Sequence, residues 1–172
     1  MKSLKKWLCA ATAFAIIAGA ALVPVSVNAA DPVSQISLNI EKELECLAHN
    51  IYYEAGGESF EGKVAVAQVT IQRTESDKYP DTVCHVVNQK TSVASKIICQ
   101  FSWVCSPKKK LDPVLYKESK NIAQMVLLDG FRLTKIRDAL YFHASRTNPN
   151  WNLTKVATIG GHVFYKPKSK RV

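Results

Sequence analysis

The sequence predicts an α+β domain, mostly helical, with a small antiparallel sheet late in the chain. Three observations carry this reading. Apolar residues recur at helical spacing through Leu44–Ala55 and again through Val64–Ile71. Asp112-Pro113 opens a further helical pattern. Late in the chain, ALYFHA (139–144) and His162–Tyr165 alternate like strands, with Gly160-Gly161 as a turn between the two segments.

The elements follow in order. Lys2, Lys5 and Lys6 precede an apolar run from Leu8 to Val23, and Val27-Asn28-Ala29 has the small-x-small pattern of an export-signal cleavage site. Residues 1–29 are therefore expected to be a leader cut after Ala29. The apolar run is shorter than the ~20 residues a membrane span needs. Residues 30–38, polar and containing Pro32, are expected to be a loose linker, with the folded domain occupying 39–172. Leu44, Leu47, Ala48, Ile51, Tyr52 and Ala55 form the core face of the first helix, which Gly56-Gly57 ends. Ser59 is placed to cap a second helix that is apolar nearly all round and hence central. Asp81-Thr82 caps a short helix through Val87, and Ser92–Val104 reads as loop or hairpin. In the helix after Asp112-Pro113, the expected core face is Val114, Leu115, Ile122, Met125 and Val126, with Gly130 beyond its end.

The formal net charge is +9, of which Lys2, Lys5 and Lys6 contribute three, leaving +6 on the expected mature chain. Lys108-Lys109-Lys110 and the Lys166–Arg171 tail hold much of it. In an exported protein this favours acidic cell-envelope polymers over nucleic acid. The remaining cysteines, Cys46, Cys84, Cys99 and Cys105, are an even set and suggest two disulfides, with the pairing open. No CxxC pair points to zinc.

The densest chemistry lies at Glu54, Glu58 and Glu61, around Gly56-Gly57. Glu54 ends a helix, where the macrodipole disfavours its charge; with partial burial this raises its pKa, as a general acid requires. Glu58 is the nearby candidate for a second carboxylate. Glu61 suits a helix start. His49, His85, His143 and His162 supply two metal ligands at best, so neither metal nor cofactor is expected. Phe101, Trp103, Tyr141, Phe142 and Trp151 offer stacking faces.

NIYYEAGGESFEGKVAVAQVTIQR, then YPDTVCHVV, CQFSWVC, ALYFHA and IGGHVFY together resemble the SleB/CwlJ-type cell wall hydrolase family across about Leu44–Tyr165. The resemblance implies a lysozyme or lytic-transglycosylase-like fold acting on peptidoglycan glycan strands. The family's Y-x-E-A-x-G-E motif falls on Tyr52–Glu58 and puts the catalytic acid on Glu54. The family often has arginine at the position of Gly56, and Asn-Arg where this chain has Gln72-Arg73. The expectation is a monomeric, exported lytic transglycosylase, in the periplasm or at the cell wall. Glu54 is its single acid/base, and Gln100, Phe101, Ser102, Tyr141 and His143 line its groove. The alternatives are a hydrolytic muramidase or glucosaminidase pairing Glu54 with Glu58, a metal-dependent amidase, and a wall-binding module without turnover.

Overall fold

The computed structural model describes residues 31–169; the expected leader and cleavage site lie outside them. Helix α1 spans Pro32–Ala55. It starts earlier than the core periodicity indicates, so residues 32–38 are helical rather than a loose linker, and the helix passes through the expected domain boundary at 39 unbroken. The reason is local. Asp31 caps the helix through a bond from the Val33 N–H to Oδ1 at 3.2 Å, with proline at the first helical position. Asp112-Pro113 starts α4 (Pro113–Leu127) in the same way.

Helix α2 (Phe60–Thr74) is capped by Ser59, whose Oγ accepts from the Gly62 N–H at 3.3 Å. It is the centre of the molecule: Gly62 to Ile71 and Arg73 are all buried. One side, with Val64, Ala67 and Ile71, packs against α1, α3 (Val83–Val87) and α4 through Leu47, Ile51, Val87, Ile122 and Val126. The other, with Ala65, Val66 and Val69, packs against Ile136, Ala139, Ile159 and Phe164. The α4 core face is Ser119, Ile122, Ala123 and Val126. Val114 and Leu115, expected inside, lie on the exposed side, because the first turn of α4 extends past the core.

Strands β1 (Lys90–Val93) and β2 (Lys96–Cys99) form a hairpin around Ala94-Ser95, both at positive φ. The late sheet has three antiparallel strands in the order β3 (Tyr141–Ala144), β5 (His162–Lys166), β4 (Thr154–Ile159). Strand β4 was not anticipated; three of its six residues are exposed and only Ile159 is buried, so it lacks a clear core alternation. Among the described residues no helix is long and apolar enough to cross a membrane.

The cysteines pair Cys46–Cys84, tying α1 to α3, and Cys99–Cys105, closing the loop that carries Gln100, Phe101 and Ser102. The two bridges close loops of very different length, with sequence separations of 38 and 6. Chain-entropy arguments assign about 4 kcal/mol to the first and about 2 kcal/mol to the second. Urea unfolding of the Cys46→Ser/Cys84→Ser and Cys99→Ser/Cys105→Ser variants is expected to show that ranking; equal losses would contradict it.

Candidate active site

Glu54 occupies the last turn of α1, and the contact between α1 and α2 sets its surroundings. One turn earlier, the buried Asn50 donates from Nδ2 to Thr70 Oγ1 at 3.0 Å. The next turn of each helix brings Glu54 into the field of Arg73. Glu54 borders two adjoining cavities of about 420 and 260 Å³. Ser102 and Phe142 also border both, so the pair form one cleft with Glu54 between its lobes. The larger lobe adds Tyr53, Trp103, Glu58, His143, Arg146 and His162. The smaller adds Arg73, Gln100 and Phe101. Depressions of about 550 and 590 Å³ lie elsewhere on the surface, and Glu54 borders neither.

Burial pushes the Glu54 carboxyl above the ordinary glutamate range, and the Arg73 guanidinium opposes this more weakly. The helix terminus acts in the same direction as burial. Arg73 is itself buried. Its Nε donates to Leu140 O at 2.9 Å, its guanidinium lies 5.1 Å from the Tyr79 ring centre and 5.4 Å from that of Phe101, and its Nη1 has no partner. A partly buried carboxyl with a raised pKa beside an open cleft has the character of a general acid.

Glu58 borders the same cleft but is engaged elsewhere. Its Oε2 accepts from the Gly161 N–H at 2.8 Å, and Oε1 lies 3.8 Å from His162 Nδ1. The β4–β5 turn closes over this carboxylate so tightly that a Cβ at Gly160 would lie 2.1 Å from Oε2, and one at Gly161 would lie 2.6 Å from Oε1. Glu61 is on the first turn of α2 and pairs with Lys135 at 2.5 Å.

The expected groove residues divide. Gln100, Phe101 and Ser102 meet at the cleft, although Phe101 is almost wholly buried and serves mainly as a wall against Arg73. His143 borders the larger lobe, held by Tyr165 Oη at 3.0 Å from Nε2. Tyr141 borders neither lobe and packs beside Trp151. Its neighbour Phe142 reaches both lobes. His49 lies apart, against Tyr116. Among the described residues no three His, Cys, Asp or Glu side chains converge as a metal site would need. Among the bordering residues, sequence reasoning missed Tyr53, Arg146 and, above all, Arg73. A basic side chain in the last turn of a helix reads as ordinary dipole pairing; the available signal was its place on a helix with no other solvent-facing stripe.

A family model described as cell wall hydrolase matches residues 57–165. The chain belongs to the cell wall hydrolase family. Glu54 lies just ahead of the matched segment. The chain is 29% identical to the spore cortex-lytic enzyme of Oceanobacillus iheyensis over 130 residues, covering 73% of this chain and 42% of that protein. It is 27% identical to that of Bacillus subtilis over 126 residues, covering 71% of this chain and 37% of the other. It thus spans about two fifths of the length of the curated relatives it matches. Among solved structures it is similar to the catalytic domain of the Bacillus cereus SleB protein, with TM-score 0.52, 22% identity, and coverage of 73% of this chain and 91% of that one. It is also similar to the catalytic domain of the germination-specific lytic transglycosylase SleB from Bacillus anthracis, with TM-score 0.54, 24% identity, and coverage of 73% and 95%. At these identities the likeness shows the fold, which is the lysozyme-like one expected of this cell wall hydrolase.

Two stability predictions follow from the packing around the cleft. In the unfolded chain Glu54 titrates in the ordinary range; in the folded chain it titrates higher. Between those values the folded state binds more protons, so stability falls as pH rises through the window. Glu54→Gln is expected to unfold at higher urea than wild type above the window and to show no gain near about pH 4. An unchanged midpoint at both pH values would contradict the raised pKa. Gly160 has φ +53 and abuts Glu58, so Gly160→Ala is expected to cost about 1–3 kcal/mol, partly recovered by adding Glu58→Ala. A Gly160→Ala protein as stable as wild type would show that the turn does not close on Glu58.

Proposed function

We propose that this cell wall hydrolase degrades peptidoglycan by cleaving the MurNAc–GlcNAc bond, as a lytic transglycosylase with Glu54 as its single acid/base. The observation that carries the reading is the contrast between two carboxylates in one cleft. Glu54 is raised in pKa by burial, whereas Glu58 is committed to the Gly161 N–H and faces His162. A mechanism needing one carboxyl suits that contrast better than one needing two.

In this reading Glu54 protonates the glycosidic oxygen as the C1–O bond of MurNAc breaks. The resulting carboxylate takes the proton of the MurNAc 6-hydroxyl as O6 bonds to C1. The products are a 1,6-anhydro end and a free GlcNAc 4-hydroxyl, with Glu54 protonated again and no water consumed. Arg73 stabilises the carboxylate formed between the two transfers. Tyr53 and Trp103, with ring centres 4.6 Å apart, form an aromatic wall for the apolar faces of sugar rings.

A second reading has an observation behind it: Glu58 borders the same lobe as Glu54, so a hydrolase could use it to direct water. The chain's relatives include proteins named spore cortex-lytic enzymes and a lytic transglycosylase, which supports glycan-strand chemistry over amide cleavage. Export as a monomer to the periplasm or wall, with cleavage after Ala29, belongs to the same proposal.

Digestion of purified peptidoglycan followed by muropeptide mass analysis tests it. Wild type is expected to yield 1,6-anhydro ends, with activity declining on the alkaline side as Glu54 loses its proton. Glu54→Gln is expected to lose about 10²–10⁴-fold. Reducing ends in place of anhydro ends would favour the water-using reading. Equal clearing by the variant would remove Glu54 from the chemistry.

A further inference from the structure

A third cavity, of about 410 Å³, lies against the cleft. Tyr53 and Trp103 border both spaces, so their stacked rings, inclined by 18°, are the partition between them. On its far side the floor is apolar, from Val87, Val104 and Leu111, and the rim carries Lys42, Lys108 and Lys109. These three lysines are exposed, and the lysine ion pairs among the described residues use Lys63, Lys120 and Lys135 instead. The one carboxylate lining the cavity, Glu45, is already engaged: Lys120 lies at 2.5 Å, and the Tyr116 hydroxyl also donates to it. The cavity therefore has an apolar floor, an aromatic side wall and uncompensated positive charge.

From this arrangement we infer that the cavity is a second subsite, which takes the acidic peptide branches carried by the glycan. The inference rests on the glycan-strand reading above and adds where the branch goes. MurNAc carries its peptide on the lactyl group beside the scissile bond, and that peptide bears free carboxylates and short aliphatic side chains. An extended peptide advances about 3.3–3.6 Å per residue, so two or three residues cross a partition one ring pair thick. The carboxylates then meet Lys42, Lys108 and Lys109, and the aliphatic groups meet the floor. Peptide-bearing strands thereby bind better than bare ones at the same chemical step.

The test compares wild type with Lys42→Ala/Lys108→Ala/Lys109→Ala on two substrates: peptide-bearing glycan strands, and the same strands stripped of peptide by an amidase. The triple variant is expected to lose about tenfold in kcat/KM on peptide-bearing strands, chiefly through KM, and to match wild type on stripped strands. Added salt is expected to erase wild type's preference. Equal losses on both substrates, or none on either, would overturn the subsite. If wild type cleaves neither substrate, the glycan-strand reading has failed separately. Binding is then read directly, by following the Trp103 indole N–H in NMR while free acidic stem tripeptide is added to millimolar concentration. A shift that the triple variant lacks supports the subsite; no shift overturns it.

Discussion

A helix buried along most of its length offers its polar side chains little water, and beyond Glu61 on its exposed first turn α2 carries four long ones: Lys63, Gln68, Gln72 and Arg73. Each must find its partner in the surrounding chain, because an unpaired buried polar group costs about 1–3 kcal/mol. Lys63 reaches Glu118 on α4 at 2.7 Å. Gln68 exchanges two hydrogen bonds with the backbone of Leu133. Gln72 donates to Ile136 O and Ala139 O and accepts from the Asp138 N–H, holding that residue at φ +66. Arg73 takes Leu140 O. The irregular segment 133–140, which leads into β3, is thus templated residue by residue on one face of α2. The glutamine at 72, where the resembled family often has asparagine, is part of that template.

The same constraint shapes the cleft. Arg73 is brought inside with one nitrogen bonded, aromatic rings beside it and another nitrogen unpaired. Its charge is felt by Glu54 without a direct ion pair, so burial still outweighs it and the carboxyl stays high. A tight ion pair would have driven that pKa down. On the other side of the cleft, Glu58 spends its oxygens on the β4–β5 turn, which joins the sheet to the α1–α2 turn. The three glutamates of one short stretch thus have three environments: one withdrawn from water, one closing a turn, one paired on the surface with Lys135.

Much of this was legible in the sequence, for identifiable reasons. Helices α1 and α2 declare themselves by period and by the Ser59 cap, and Asp112-Pro113 marks α4 because cap and proline act locally. Asp31-Pro32 carries the same signature, and Val33, Ile36 and Ile40 extend the helical spacing of Leu44 and Leu47, but these three residues pack against no core and stay exposed. Strand β4 escaped because its inward residues, Val156, Ala157 and Ile159, do not alternate regularly. The β1–β2 turn has Ala94-Ser95 where glycine or asparagine would be diagnostic. At the cleft, the raised pKa of Glu54 could be read from its helix end. Arg73 could not, because the rings and carbonyl that hold it come from distant parts of the chain. Tyr141 borders neither lobe, although His143, on the same side of β3 by alternation, does: alternation shows which residues share a side but not which of them reach the cleft.

The central claim is that burial raises the Glu54 pKa beside the cleft, against a weaker pull from Arg73. NMR titration of the Glu54 side-chain carboxyl carbon, in wild type and in Arg73→Met, tests this most directly. The account predicts a wild-type midpoint above the ordinary glutamate range, matching the alkaline limb of the activity profile, and a higher midpoint still in Arg73→Met. A wild-type midpoint in the ordinary range, or one that falls when Arg73 is replaced, would contradict it.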